Sequence, residues 1–312
     1  MRRPEIVLTS LIGNTKLVPL RFPDHGVTIQ AKCEFMNPSG SIKDRFARAA
    51  IEDAEQDGRL KSGSVILECS SGNTGVAFAM VGAARCYGVT IVISEVASRE
   101  RRQLMEHLGA KVITFAGEDY WKGVELTRQM AAEDPRYFLP RQFENPLNAD
   151  DHEHATGREI LGQVSGPVDA FVAGYGTGGT LAGVSRALRA RNPHTQIYVM
   201  EPAEAALLLG ETSCTHHIEG VADGFIPPLL KGVPLDGVIK VSSSDAMQMA
   251  QRLASDFGLL VGTSSGANVV AAVRIATEMG RDRNIVTLLC DRAERYFSTR
   301  LFRPRSAERV AC

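Results

Sequence analysis

Apolar and polar positions along this 312-residue chain change period again and again. Short runs rich in β-branched residues, TIQAKCEF (28–35), SVILEC (64–69), VTIVIS (89–94) and KVITFA (111–116), predict strands. Between them apolar residues recur about every 3.6 positions, which predicts helices. These run from Ser41 through IKDRFARAAIEDAEQDG, over 98–108 and over 118–132. A further helix, VAFAMVGAARCYG (76–88), is apolar nearly all round and is predicted to be buried. A second series follows PRQFENPLN (140–148), whose two prolines and two asparagines mark a crossing between domains. It holds strands at 169–174, 196–201 and 284–290 and helices at 181–190, 246–257 and 267–279. FGLLV (257–261) reads as one more strand-like run, entering a Gly-Thr-Ser-Ser-Gly turn. Alternation of this kind predicts an α/β fold with helices covering both faces of mostly parallel sheets. We divide the chain into two such αβα domains, 1–148 and 149–312, with no internal repeats.

Composition narrows the partners. With 44% hydrophobic residues and 29 glycines the chain can bury a large core. A formal net charge of -1, without an arginine-lysine stripe, gives no field for nucleic acid, so small molecules are the predicted partners. Cys33, Cys69, Cys86, Cys214, Cys290 and Cys312 form no CxxC pair and read as reduced core thiols, which predicts a cytoplasmic protein. The apolar run near the N-terminus is broken by Thr9, Ser10 and Gly13, so no signal peptide is predicted. No run approaches the roughly 18 apolar residues of a membrane span. His107, His152, His154, His216 and His217 lack companion carboxylates at ligand spacing; they read as surface histidines, and no metal site is predicted.

Chemistry concentrates where strands or turns hand over to helices. In NPSGSIKDR (37–45) a turn places Lys43 in the first turn of a helix, where an ammonium gains nothing from the helix dipole. It is either a surface lysine beside Asp44 or a group with another use. SSGNTG (70–75) aims hydroxyls, an amide and backbone N–H groups at one point and suits a carboxylate, although Ser70 or Ser71 could equally cap the helix. GYGTGGTLAG (174–183) suits a phosphate by the same physics. Gly174, Gly176 and Gly179 also satisfy GxGxxG, with Glu201 after the next strand, which keeps an NAD-dependent dehydrogenase in view. Against that reading, the spacing to Glu201 is 27 residues, and Lys43 and SSGNTG are left idle. A lysine, a carboxylate cradle, a monophosphate cradle and a serine at the 262–266 turn together fit pyridoxal 5'-phosphate.

Seven motifs, in order, resemble those of the fold-type II pyridoxal-phosphate enzymes, in particular the cysteine synthase and cystathionine β-synthase family. They are IGNTKLV (12–18), NPSGSIKDR, SSGNTG, QFENPLN (142–148), GYGTGGT, GVADGFIP (220–227) and VGTSSGA (261–267), and they span nearly the whole chain. The resemblance implies that Lys43 carries the cofactor imine and that Asn73 bonds the ring 3-oxygen. It implies that Gly176, Thr177, Gly178, Gly179 and Thr180 hold the phosphate and that Ser264 faces the ring nitrogen. Ser70, Ser71, Gly72, Thr74 and Gln142 would bind the substrate carboxylate. The implied reaction is β-replacement on an activated L-serine through an aminoacrylate, most simply O-acetyl-L-serine plus sulfide giving L-cysteine and acetate. A homodimer, serine acetyltransferase as a partner and a mobile subdomain over about 46–148 come with it.

The departures bear on substrate. Ser94 replaces the family's proline in ISE (93–95), and YWKGV stands for GMKGA, which brings Trp121 toward the nucleophile pocket. DRAERYFST (291–299) stands where the family has SGERYLST and brings Asp291 and Arg292 near the cofactor ring. Relatives with similar motifs make 2,3-diaminopropionate, cystathionine, O-ureidoserine or S-sulfocysteine, so the acceptor stays open. A catalytically silent, partner-binding member is a further alternative, and the intact Lys43 and SSGNTG count against it.

Overall fold

The computed structural model describes residues 8–70, 72–117, 119–211 and 214–302, and in it the alternating pattern becomes two sheets. Four parallel strands, β3 (Val65–Cys69), β4 (Gly88–Ser94), β5 (Lys111–Phe115) and β6 (Tyr137–Phe138), lie in the order β5-β4-β3-β6. The larger sheet has the order β1-β2-β10-β7-β8-β9, from β1 (Leu17–Phe22), β2 (Val27–Cys33), β7 (Ala170–Gly174), β8 (Gln196–Pro202), β9 (Gly237–Val241) and β10 (Ile285–Leu289). Only the β1-β2 pair is antiparallel. A division at 148 therefore needs correcting. β1 and β2 complete the sheet built by the second half, because β2 pairs with β10, and the four-stranded sheet lies between them and that half.

Nine α-helices pack on these sheets among the described residues: α1 (Lys43–Gln56), α2 (Asn73–Ala84), α3 (Arg99–His107), α4 (Tyr120–Glu133), α5 (Leu147–Asp151), α6 (Arg158–Gln163), α7 (Gly179–Arg191), α8 (Ser243–Phe257) and α9 (Thr263–Met279). The all-apolar α2 is buried from Thr74 to Gly82, as its composition demands. α8 starts on Ser242, whose side chain accepts the Asp245 amide, and stops at Gly258 with φ +70°. The chain turns there, so FGLLV is not a strand: it makes one isolated bridge, Val261 to Arg292, before α9. Between α5 and α6 a π-helical turn, His152–Gly157, continues one helical rod that the periodicity did not predict.

Strand order positions the site. β2, β10 and β7 are parallel neighbours, so the Lys43 turn, residues 290–291 and the glycine loop all leave the same edge. A buried ionic cluster joins the first helix of the smaller unit to the larger one. Arg45 pairs with Glu34 (2.7 Å) and Glu159 (2.8 Å), and Lys32 with Glu159 (2.7 Å). Among the described residues, no helix is long and apolar enough to cross a membrane, and no cluster of three His, Cys, Asp or Glu side chains could hold a metal. The reading of all cysteines as core thiols holds for Cys33 and Cys69, whereas Cys86 and Cys214 are exposed and Cys312 lies outside the described residues.

Candidate active site

The turn before α1 is built by buried polar contacts. Asn37 donates to the Glu34 carbonyl (2.8 Å) and carboxylate (2.9 Å) and accepts the Gly13 amide (2.8 Å). Gly40 has φ +87°, and a Cβ there would lie 2.9 Å from Arg292 Cδ. Asp44 does not pair with Lys43. Its carboxylate turns back on the Ser39 amide (2.7 Å) and hydroxyl, and burial raises its pKa to about 6. Lys43 is half-buried and lines a cleft enclosing about 890 Å3 of empty space. Among the described residues its ammonium has no hydrogen bond or ion pair. A cation kept free in a cleft where carboxylates are close at hand is placed for chemistry rather than for stability.

Opposite it, α2 opens the anion cradle. Ser70 Oγ accepts the Gly72 amide (3.2 Å) and the Gly75 amide (2.9 Å), so this hydroxyl does serve the helix backbone. The amides of Asn73 and Thr74 have no partner among the described residues, as an anion site at a helix start requires. Thr74 donates to Gln142 Oε1 (2.7 Å), and Gln142 Nε2 donates to the Cys69 carbonyl (3.0 Å). Gln142 thus fixes Thr74 and lines the cleft with it. Ser71 lies outside the described residues.

The glycine loop faces the same cleft through Gly176, Thr177, Gly178 and Thr180, with Gly179 opening α7. Gly178 caps the helix at φ +83°, and a Cβ on Gly176 would sit 2.6 Å from the Gly220 carbonyl, so both glycines are required by space or conformation. Two residues to which the motifs assign no role hold this loop. Asn148 donates to Thr177 Oγ1 (3.0 Å) and the Gln142 carbonyl (2.9 Å). His152 Nε2 lies 3.1 Å from Thr180 Oγ1, and its other nitrogen 2.8 Å from Thr156. The surface reading of His152 is corrected: it is 3% exposed, and burial, with Arg45 nearby, lowers its pKa to about 3. Its position one helical rod away from α7 gave no signal in sequence.

Ser264, at the start of α9, lines the cleft; Ser265 instead accepts the Cys290 amide (2.8 Å). Glu201 is fully buried and accepts from Tyr175 (2.6 Å) and the Leu208 amide (3.0 Å), so it is engaged as a core group and leaves the dinucleotide reading without its ribose carboxylate. Trp121 is not a cleft residue. It stands half-exposed against Phe225, with ring centroids 4.9 Å apart, while its neighbours Tyr120 and Phe143 line the cleft.

A family profile described as "Pyridoxal-phosphate dependent enzyme" matches residues 8–291. The chain belongs to the pyridoxal-phosphate dependent enzymes. Its cofactor is pyridoxal phosphate, and the arrangement fits it: a lysine side chain and helix-start amides without partners among the described residues, and a glycine cradle that added Cβ atoms would fill, all face one cleft. The chain is 41% identical over 304 residues to a cysteine synthase of Staphylococcus aureus, covering 96% of this chain and 98% of that protein. It is similar in structure to an O-acetylserine-dependent cystathionine β-synthase of Helicobacter pylori (TM-score 0.91, 34% identity, 95% of this chain and 98% of that one). It also resembles a hydrogen sulfide-producing enzyme of Fusobacterium nucleatum (TM-score 0.90, 37% identity, 95% and 91%).

Proposed function

We propose that this protein catalyses β-replacement on an activated L-serine, in first place as a cysteine synthase converting O-acetyl-L-serine and sulfide to L-cysteine and acetate. The Lys43 side chain, without a partner among the described residues and set between two anion cradles, carries this reading, and 41% identity to a cysteine synthase over 96% of the chain supports its substrates. Bound pyridoxal phosphate supplies an electrophilic aldehyde and a conjugated ring that draws electron density from the amino acid. Lys43 would hold that aldehyde and, once released, take the proton from the substrate Cα at its Nζ. The amides of α7, with Thr177 and Thr180, would hold the phosphate, and Asn73 would donate to the ring oxygen. The Asn73 and Thr74 amides would bind the substrate carboxylate. Ser264, a hydroxyl rather than a carboxylate, would face the ring nitrogen without protonating it, which favours elimination over transamination. Closure of the four-stranded unit would exclude water; Arg101 on α3 and Glu219, both lining the cleft, already form an ion pair (2.5 Å).

A second reading keeps the chemistry and changes the acceptor. Asp223, in the GVADGFIP segment, lines the cleft with Lys43. A carboxylate there opposes an anionic hydrosulfide and favours an acceptor that arrives with a proton to give. The test is to offer the holoenzyme O-acetylserine with sulfide, homocysteine or ammonia in turn and to measure acetate and product. Fastest turnover with sulfide supports the cysteine synthase; fastest turnover with another acceptor supports the second reading. Absence of acetate with every acceptor contradicts both.

A further inference from the structure

Asn73 is gripped at both ends of its side chain. Its Nδ2 donates to Asp291 Oδ2 (2.5 Å), and its Oδ1 accepts from Arg295 Nη1. An amide can be turned end for end with little change of shape, so its neighbours decide which end is which. An anion at the nitrogen and a cation at the oxygen leave one orientation satisfied; the flipped one would set like against like on both sides. One Nδ2 hydrogen is used by Asp291, which leaves the second as the amide's free donor in the cleft that Asn73 lines.

The two gripping residues are themselves fixed. The chain around Asp291 is stitched to both flanking helix starts: Ile42 donates to the Cys290 carbonyl (3.0 Å), Gly262 to the Asp291 carbonyl (3.2 Å), and Arg292 to the Gly40 carbonyl (3.1 Å). Arg295 Nη2 reaches the Ser39 carbonyl in the lysine turn, and Tyr296 donates its hydroxyl to Asp291 Oδ2. Asp291 is 1% exposed and its Oδ1 has no partner. Gly262 makes room for it, since a Cβ there would lie 2.3 Å from that oxygen. A buried carboxylate left half-satisfied is a cost to folding. Such a residue in this place is explained by what it does for its neighbour.

We propose that Asp291 and Arg295 are positioning residues that lock the orientation of the Asn73 amide, so that a hydrogen-bond donor, never an acceptor, is presented to the cofactor's ring oxygen. The inference rests on the role given to Asn73 above. It joins the Lys43 turn, α2 and the 291–296 segment into one unit, with Asp291 and Arg295 acting at the cofactor through Asn73.

The test is a double-mutant cycle on the holoenzyme with N73A, D291A and the double variant, reading kcat/KM, the absorption band of the bound cofactor, cofactor retention on dilution and Tm. D291A is expected to lower kcat/KM roughly 10- to 100-fold, the size of a lost charge-assisted hydrogen bond, and to shift the band. On the N73A background the same change should cost no more than about 2-fold, because the partner it acts through is gone. D291N, which keeps an acceptor oxygen, should recover most of the loss. Should D291A fail to fold, R295Q is read in the same cycle, since it frees the other end of the amide. An undiminished loss on the N73A background, or a wild-type band and kcat/KM in D291A, overturns the lock while leaving Asn73 in its role. If N73A itself keeps the wild-type band and kcat/KM, the assignment of Asn73 fails and takes the lock with it.

Discussion

At the scale of residues, the site is a contest between what each group gains from its neighbours and what is left over. Asp44 sits next to Lys43 in sequence yet bonds to Ser39, and among the described residues this leaves the lysine side chain without a partner. Conformation is as tightly specified as charge. Gly178 combines φ +83° with a Cβ position 2.9 Å from the Leu230 amide. Gly178→Ala is therefore expected to cost about 1–2 kcal/mol from the left-handed backbone alone, and to weaken cofactor binding by deforming the α7 start. Thermal unfolding and equilibrium dialysis with pyridoxal phosphate check this. Residue types legible in sequence were those whose chemistry is explicit, such as Lys43 and the glycines of 176–179. Trp121 misled because neighbouring helix positions diverge by about 100°, so Tyr120 and not the tryptophan enters the cleft.

At the scale of elements, hydrophobic period distinguishes strands from helices, and FGLLV shows where it ceases to do so. An apolar run looks the same whether it pairs in a sheet or packs as a connection, and here Gly258 turns the chain before pairing can begin. The rod from α5 through α6 is hidden from the period for the opposite reason. Its polar residues, Asn148 and His152 among them, face inward to hold Thr177 and Thr180, so it shows no apolar stripe. This gives a pH test. The folded-state pKa of His152 is depressed to about 3, so its contribution to stability is complete above its ordinary value and is lost as pH falls below that value. Between pH 6.5 and 5 the wild type should lose about 2 kcal/mol more than His152→Asn. The raised Asp44 acts in the opposite sense, but it is common to both proteins and cancels in the difference. Parallel pH profiles for the two proteins would refute the buried, neutral histidine.

At the scale of the whole molecule, the proposed function depends on three parallel strand ends lying side by side. β2, β10 and β7 carry the lysine turn, the 290–291 segment and the glycine loop, although β2 begins at Val27 and β10 ends at Leu289. Alternation of elements predicted parallel sheets, but no period or motif says which strands neighbour one another. The N-terminal strands therefore fell in the wrong unit when the chain was divided at 148. The buried cluster of Lys32, Glu34, Arg45 and Glu159 secures α1, and hence Lys43, to the large sheet on which the phosphate loop is mounted. Desolvating these charges stabilises the fold little, but removing one partner would strand the others, so the cluster fixes relative position. The proposed covalent link at Lys43 is the feature every other assignment leans on. It is tested most directly by reducing the holoenzyme with borohydride and mapping the modified peptide by mass spectrometry: a phosphopyridoxyl group on Lys43 is the predicted result, and its appearance on another lysine, or on none, would contradict the account.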